Sequence, residues 1–248
     1  VWGALATLAC VDYPYPAGLI VPLPANPVAV ACTQALSQAG RGQLLGALEA
    51  AVQVFTNSTG SLVCHNTSME LVGGPTLAAP PTPFAPALGS INVVWNYQVC
   101  TELILEPLTT DGSGFIVERE SQIADVEAAC RARYGPIASR HHWLLQEFGN
   151  GADIVRHTTN LIFSDGVKDP WRVGAVPHNV TSPDQSAFHI LIADAAHHQD
   201  LRFSDSRDSV ALTRARATEK AAIARWLGGQ EHAARWGLSG AHAASVNG

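Results

Sequence analysis

The sequence has no apolar stretch of the roughly eighteen charge-free residues that a membrane-crossing helix requires, and no basic segment ahead of an apolar one at its start. Neither a span nor a visible secretion signal is expected. It also has no run of lysine and arginine. With a formal net charge of −6 it offers no electrostatic footprint for nucleic acid or an anionic membrane surface, so both are set aside as partners. H-E-x-x-H is absent. His197, His198 and Asp200, with His141 and His142, are of types that suit zinc, but adjacent histidines on one chain rarely reach a single ion, so neither metal nor cofactor is expected. G-x-S-x-G, the turn that exposes a nucleophilic serine, does not occur either.

What is present is a globular composition. Hydrophobic residues make up 47% and charged residues 15% of 248, enough to bury a substantial core in one large domain or two small ones. The chain opens on Val1, its single methionine is Met69, and its first residues read as the end of an amphipathic element. It is expected to be a piece of a longer protein.

Cys10, Cys32, Cys64, Cys100 and Cys130 occur with N-x-S/T acceptors at Asn57, Asn66 and Asn179, a combination that points to the secretory pathway. In an oxidising compartment the natural local pairs are Cys32–Cys64 and Cys100–Cys130. Each would close a loop of roughly thirty residues and stabilise by about 3 kcal/mol through chain entropy. Cys10 is left over and reads as a small buried apolar residue.

Two kinds of periodicity divide the chain. Asn26-Pro27 is a helix entry, with a capping residue before a proline at the first helical position, and the helix runs to Ala39 with Gly40 just beyond. Leu44, Leu45, Leu48, Ala51, Val52 and Phe55 form an apolar stripe on a second helix. Prolines 75, 80, 81, 83 and 86 make 73–90 an exposed loop, after which 95–105 and 121–134 read as helical. From about residue 155, short β-rich runs at 160–164 and 187–193 read as buried strands, and 209–227 reads as a closing helix with Leu212, Ala215, Ala222, Ile223 and Trp226 along one side. The tail beyond reads as loose.

Asp169 follows the first strand and His197 the second, so both side chains can meet at one edge of a parallel sheet. In such a pair the carboxylate accepts the imidazole N–H, sets its tautomer and stabilises the imidazolium. Pattern alone leaves two alternatives open: Asp169 as a turn residue before Pro170, and His197 as a surface histidine.

Several motifs agree, in order, with a known family. Asp12-Tyr13-Pro14-Tyr15-Pro16, Pro22-Leu23-Pro24-Ala25-Asn26-Pro27-Val28, Trp95-Asn96-Tyr97-Gln98-Val99-Cys100-Thr101-Glu102, Leu161-Ile162-Phe163-Ser164-Asp165-Gly166, Asp169-Pro170-Trp171 and Ala196-His197-His198-Gln199-Asp200-Leu201-Arg202 lie along most of the chain. Together they resemble the proline-specific serine peptidases, the family of dipeptidyl peptidase II, prolylcarboxypeptidase and the thymus-specific serine protease, and look most like its dipeptidyl peptidase II branch. The differences are Arg172-Val173-Gly174-Ala175 where a glycine-rich stretch is usual, Ala195 after Asp194 in place of the usual glycine, and no clear acidic counterpart before Trp95 to anchor a substrate amino terminus.

The resemblance implies an α/β fold, the C-terminal part of an α/β-hydrolase with an inserted helical lid. Residues 1–14 would end the preceding hydrolase portion, 15–135 would form the lid and 136–248 would complete the hydrolase. It implies Asp169 as orienting acid, His197 as general base, His198 as a structural neighbour, Trp171 and Leu105 beside the proline pocket, and a nucleophilic serine upstream. It supports the two disulfides. The implied activity is release of N-terminal dipeptides after penultimate proline or alanine. Two alternatives stand beside it: removal of a C-terminal residue after proline, and a non-catalytic secreted binding relative. Peptides with proline or alanine near one end are the implied partners, a homodimer is open to it, and the implied locations are lysosome, vesicle or extracellular space.

Overall fold

The structure, a computed structural model, describes residues 1–18, 21–40, 43–64, 95, 97–103, 123–136, 143–176 and 179–228. Leu105, Asn66, His141, His142 and the proline-rich 73–90 lie outside the described residues. The chain divides into two compact units, 3–61 with Val1 and 150–248, and 62–149 with Trp2.

In the first unit, α1 (Trp2–Cys10) leads through the buried Val11, Tyr13 and Tyr15 to α2 (Pro27–Ala39). Asn26 occupies the capping position as expected, but in a left-handed conformation and with no side-chain cap bond. The free N–H of Val28 is taken instead by Asp12 Oδ1 at 3.3 Å, so the cap comes from an earlier turn of the chain. The paired helix α3 (Leu44–Thr56) departs from its predicted stripe. Phe55 is buried as expected, but the other buried positions are Ala47 and Val54, while Leu44 and Leu45 are 76% and 84% exposed.

After α6 (Gly151–His157), capped by Asn150 accepting from the Asp153 N–H at 3.1 Å, come the two strands β1 (Leu161–Gly166) and β2 (Ala187–Ile192). They pair in parallel, Leu161 opposite Ala187 through Gly166 opposite Ile192. The sequence reads them as buried, but only Gly166, Ala187 and Ile192 are; the other positions are half-covered and Leu191 is exposed. Among the described residues the sheet has two strands, too few to cover both faces as parallel sheets usually are. The closing helix α7 (Val210–Trp226) begins where predicted, Ser209 Oγ accepting from the Leu212 N–H at 3.1 Å. Leu212 and Ala215 pack on Ile192 and Ala195, which carries the helix onto the end of β2. Ile223, predicted on the buried side, is half-exposed.

In the second unit, a π-helical turn (Val99–Leu103), α4 (Ile123–Tyr134) and α5 (Trp143–Phe148) are described. Cys100–Cys130 is formed, and Tyr97 packs edge-on against Tyr134 at 5.4 Å. Cys32 and Cys64, the other pair expected from the sequence, are both exposed and belong to different units. Among the described residues, no helix is long and apolar enough to cross a membrane.

Candidate active site

Each strand delivers one titratable side chain from the turn that follows it. After β1 the chain folds back at once: the Asp169 N–H donates to Gly166 C=O at 3.0 Å, and Asp169 Oδ1 accepts from the Trp171 N–H at 2.9 Å as Pro170 opens a short 3₁₀ turn (Pro170–Gly174). This fixes the carboxylate. It is 6% exposed, and its other oxygen, Oδ2, meets His197 Nδ1 at 2.7 Å.

The turn after β2 needs two left-handed residues to bring His197 to that position, Asp194 at φ +62° and His198 at φ +53°. Aspartate tolerates this region better than most residues. The two turns touch at Gly166. A Cβ there would lie 2.2 Å from Ala195 O, so only glycine permits the contact, and the Lys168 N–H donates to that same carbonyl at 3.0 Å.

Behind His197 the turn is held from within and from α7. Gln199 Oε1 accepts from the Ala196 N–H at 3.0 Å. Arg216, itself buried, donates to the carbonyls of Gln199, Asp200 and Arg202 at 2.7, 2.8 and 3.2 Å and pairs with Asp208 at 2.5 Å. Asp200 accepts from Ser164 Oγ at 2.6 Å. Burial and the neighbouring Asp200 carboxylate push the Glu219 carboxyl on α7 up to about 7.

Around the pair, the Trp171 ring lies 6.1 Å from that of His197, centroid to centroid. Cys10 is the residue for which the sequence suggested only a buried apolar role. Burial first, and then the Asp169 carboxylate, push its thiol up to about 11, which keeps it protonated and un-nucleophilic. Burial first, and then the neighbouring His197 ring, lowers the pKa of His198 below its ordinary value.

The structure thus brings together Asp169, His197 and Trp171. Gly166, Gln199 and Arg216 had no place in the sequence reading. A glycine closing an apolar strand before an acidic turn was the only available signal for Gly166, and nothing local marked an arginine sixteen residues beyond Asp200 as the support of its turn.

The sequence matches the family described as Serine carboxypeptidase S28 over residues 4–219. Lysosomal Pro-X carboxypeptidase from Homo sapiens is 30% identical over 222 residues, covering 89% of this chain and 40% of the relative. The protein of the same name from Mus musculus is 31% identical over 227 residues, 89% of this chain and 41% of the relative. Prolyl carboxy peptidase like protein 5 from Caenorhabditis elegans is 29% identical over 236 residues, 90% of this chain and 43% of the relative. The chain spans about two fifths of the length of these curated relatives. Matched across most of its residues, including both turns of the site, the chain belongs to the serine carboxypeptidase S28 family.

Proposed function

We propose that this chain supplies the orienting acid and the general base of a serine peptidase that cuts beside proline near the end of a peptide. The bond that carries the reading is Asp169 Oδ2 to His197 Nδ1 at 2.7 Å. A buried carboxylate on Nδ1 holds the tautomer in which Nε2 accepts a proton, and it stabilises the imidazolium that results. The serine hydroxyl loses its proton to His197 as its oxygen bonds the scissile carbonyl carbon. The C–N bond then breaks with return of that proton to the departing amine, and water repeats the cycle on the acyl-enzyme.

The serine is proposed to lie upstream of Val1, since no G-x-S-x-G occurs in the sequence. The half-exposed faces of the two strands support reading them as part of a larger sheet. In this proposal residues 1–14 end the preceding hydrolase portion, 15–135 form an inserted helical lid, and 136–248 complete the hydrolase. Trp171 and Leu105 wall the proline ring, whose rigid apolar shape suits an aromatic face. Glycans at Asn57, Asn66 and Asn179 and a lysosomal or secretory location go with it.

Two directions of cutting follow from different observations. The Asp-Tyr-Pro-Tyr-Pro and Cys-Thr-Glu motifs favour release of N-terminal dipeptides, whereas the relatives' names favour removal of a C-terminal residue. The test uses the full-length protein on peptides carrying proline next to either terminus, with and without an amino-terminal block. Turnover surviving the block selects the carboxypeptidase direction; turnover abolished by it selects the dipeptidyl direction. His197→Ala is expected to lower turnover by a thousandfold or more, in line with removal of a triad member. Unchanged turnover would remove His197 from the mechanism.

A further inference from the structure

His197 is held by its own backbone in an unusual way. The hydrogen bonds inside its turn begin and end on its neighbours, with Gln199 N–H donating to Ala196 C=O at 3.3 Å and Leu201 N–H to His198 C=O at 3.1 Å. The two polar groups of the His197 backbone go instead to a segment far away in sequence. Its N–H donates to Cys10 C=O at 3.0 Å, and its C=O accepts the Tyr13 hydroxyl at 2.7 Å across 184 positions.

We propose that residues 10–13 are a strap that sets the His197 ring against Asp169, and that Tyr13 is the positioning residue for the base. The inference rests on the reading of His197 as general base.

Tyr13 is built for this. It is 1% exposed, its ring lies 4.5 Å below the Arg202 guanidinium, and it stacks on Tyr15 at 5.6 Å. The same guanidinium lies 5.8 Å from the Tyr15 ring, so the two stacked rings and Arg202 pack as one cluster that holds the Tyr13 ring in place. Its backbone is clamped as well, Tyr13 C=O accepting from the Asn26 N–H at 2.7 Å. Burial raises the hydroxyl's pKa above its ordinary value, so it remains a donor wherever a histidine base works. Asp12, between the two contact points, reaches the other turn: its Oδ2 pairs with Lys168 Nζ at 3.4 Å, beside Asp169. One short segment therefore touches both halves of the pair. A general base acts only within hydrogen-bond reach of its proton, and a displacement of about 1 Å can cost on the order of a hundredfold in rate.

The test is Tyr13→Phe in the full-length protein, which removes the donor and keeps the ring packed on Arg202 and Tyr15. Active sites are counted with a fluorophosphonate probe, and turnover is expressed per labelled site. The expected result is a kcat per site lowered by about tenfold with KM within about twofold, and a broadened or displaced His197 Nδ1–H proton resonance. A residue that only supports folding would reduce the number of labelled sites and leave kcat per site alone, and that result overturns the proposal. His197→Ala is measured in parallel. If it retains turnover, the base assignment falls and the strap with it; if it abolishes turnover while Tyr13→Phe matches the parent, the strap alone is wrong.

Discussion

The two turns that build the site are fixed to different extents by distant residues. Apart from its bond to His197, Asp169 itself bonds only to near neighbours, Gly166, Trp171 and Arg172, and the rest of its turn leans on the adjoining turn through Val167 N–H to Ile192 C=O and Lys168 N–H to Ala195 C=O, each at 3.0 Å. The His197 turn borrows its geometry, from Cys10 and Tyr13 at one end of the chain and from Arg216 on α7 at the other. An orienting acid needs only a fixed side chain. On the proposed reading His197 carries the proton and must also have its ring plane and reach fixed relative to a substrate, which suits a turn anchored both by the 10–13 segment and by α7. The His197 turn should thus be the more sensitive of the two to changes at the chain's first residues and on α7.

Arg216→Leu is the strongest way to break this contrast. It leaves Asp208 buried without its cation and three carbonyls of the His197 turn without a donor, an expected loss of about 3–5 kcal/mol in denaturant unfolding. A loss below about 1 kcal/mol would mean that the turn holds itself.

Gly166→Ala attacks the point where the turns meet. The added Cβ must push the Ala195 carbonyl away, with an expected cost of about 1–3 kcal/mol and a matching fall in activity. Gly174→Ala, in the same turn as Asp169 but with open space around it, serves as the comparison and is expected to shift the unfolding midpoint little.

The smallest effect concerns pH. Glu219 is raised from 4.5 to about 7 by burial and by the Asp200 carboxylate, with Arg216 and Lys220 opposing. The folded protein therefore holds this proton more tightly than the unfolded chain. Its contribution to stability is fully present below pH 4.5 and is lost as the pH rises through about 7. Glu219→Gln is expected to flatten the stability profile across that interval, read by urea unfolding at a series of pH values. A slope unchanged by the substitution would assign it to other groups.

How far the site was legible follows the same contrast. Asp169-Pro170-Trp171 is a local motif whose turn geometry follows from a side-chain acceptor and a proline, and the sequence suffices to read it. Asp12-Tyr13-Pro14-Tyr15-Pro16 was legible only as a resemblance, because the work of Tyr13 is done on a carbonyl 184 positions away. The α3 stripe misled for a related reason. Periodicity finds which residues share a face, but not which face meets α2, and the seam took Ala47 and Val54 rather than Leu44 and Leu45. Cysteine spacing has the same limit, since it gives loop length but says nothing of whether two sulfurs are brought together.

The sequence by itself determined the helix and strand types, the order acid turn then histidine turn and the family, because these depend on local chemistry and on residues read in order. Only the tertiary structure decided that Asp169 and His197 converge to 2.7 Å, that Gly166 lets their turns touch, and that Tyr13 bonds the His197 carbonyl while Arg216 bonds the carbonyls that follow it. The physical reason is that hydrogen bonds between distant segments form only when the whole chain has folded to present donor and acceptor at the same place, and no local pattern carries that information.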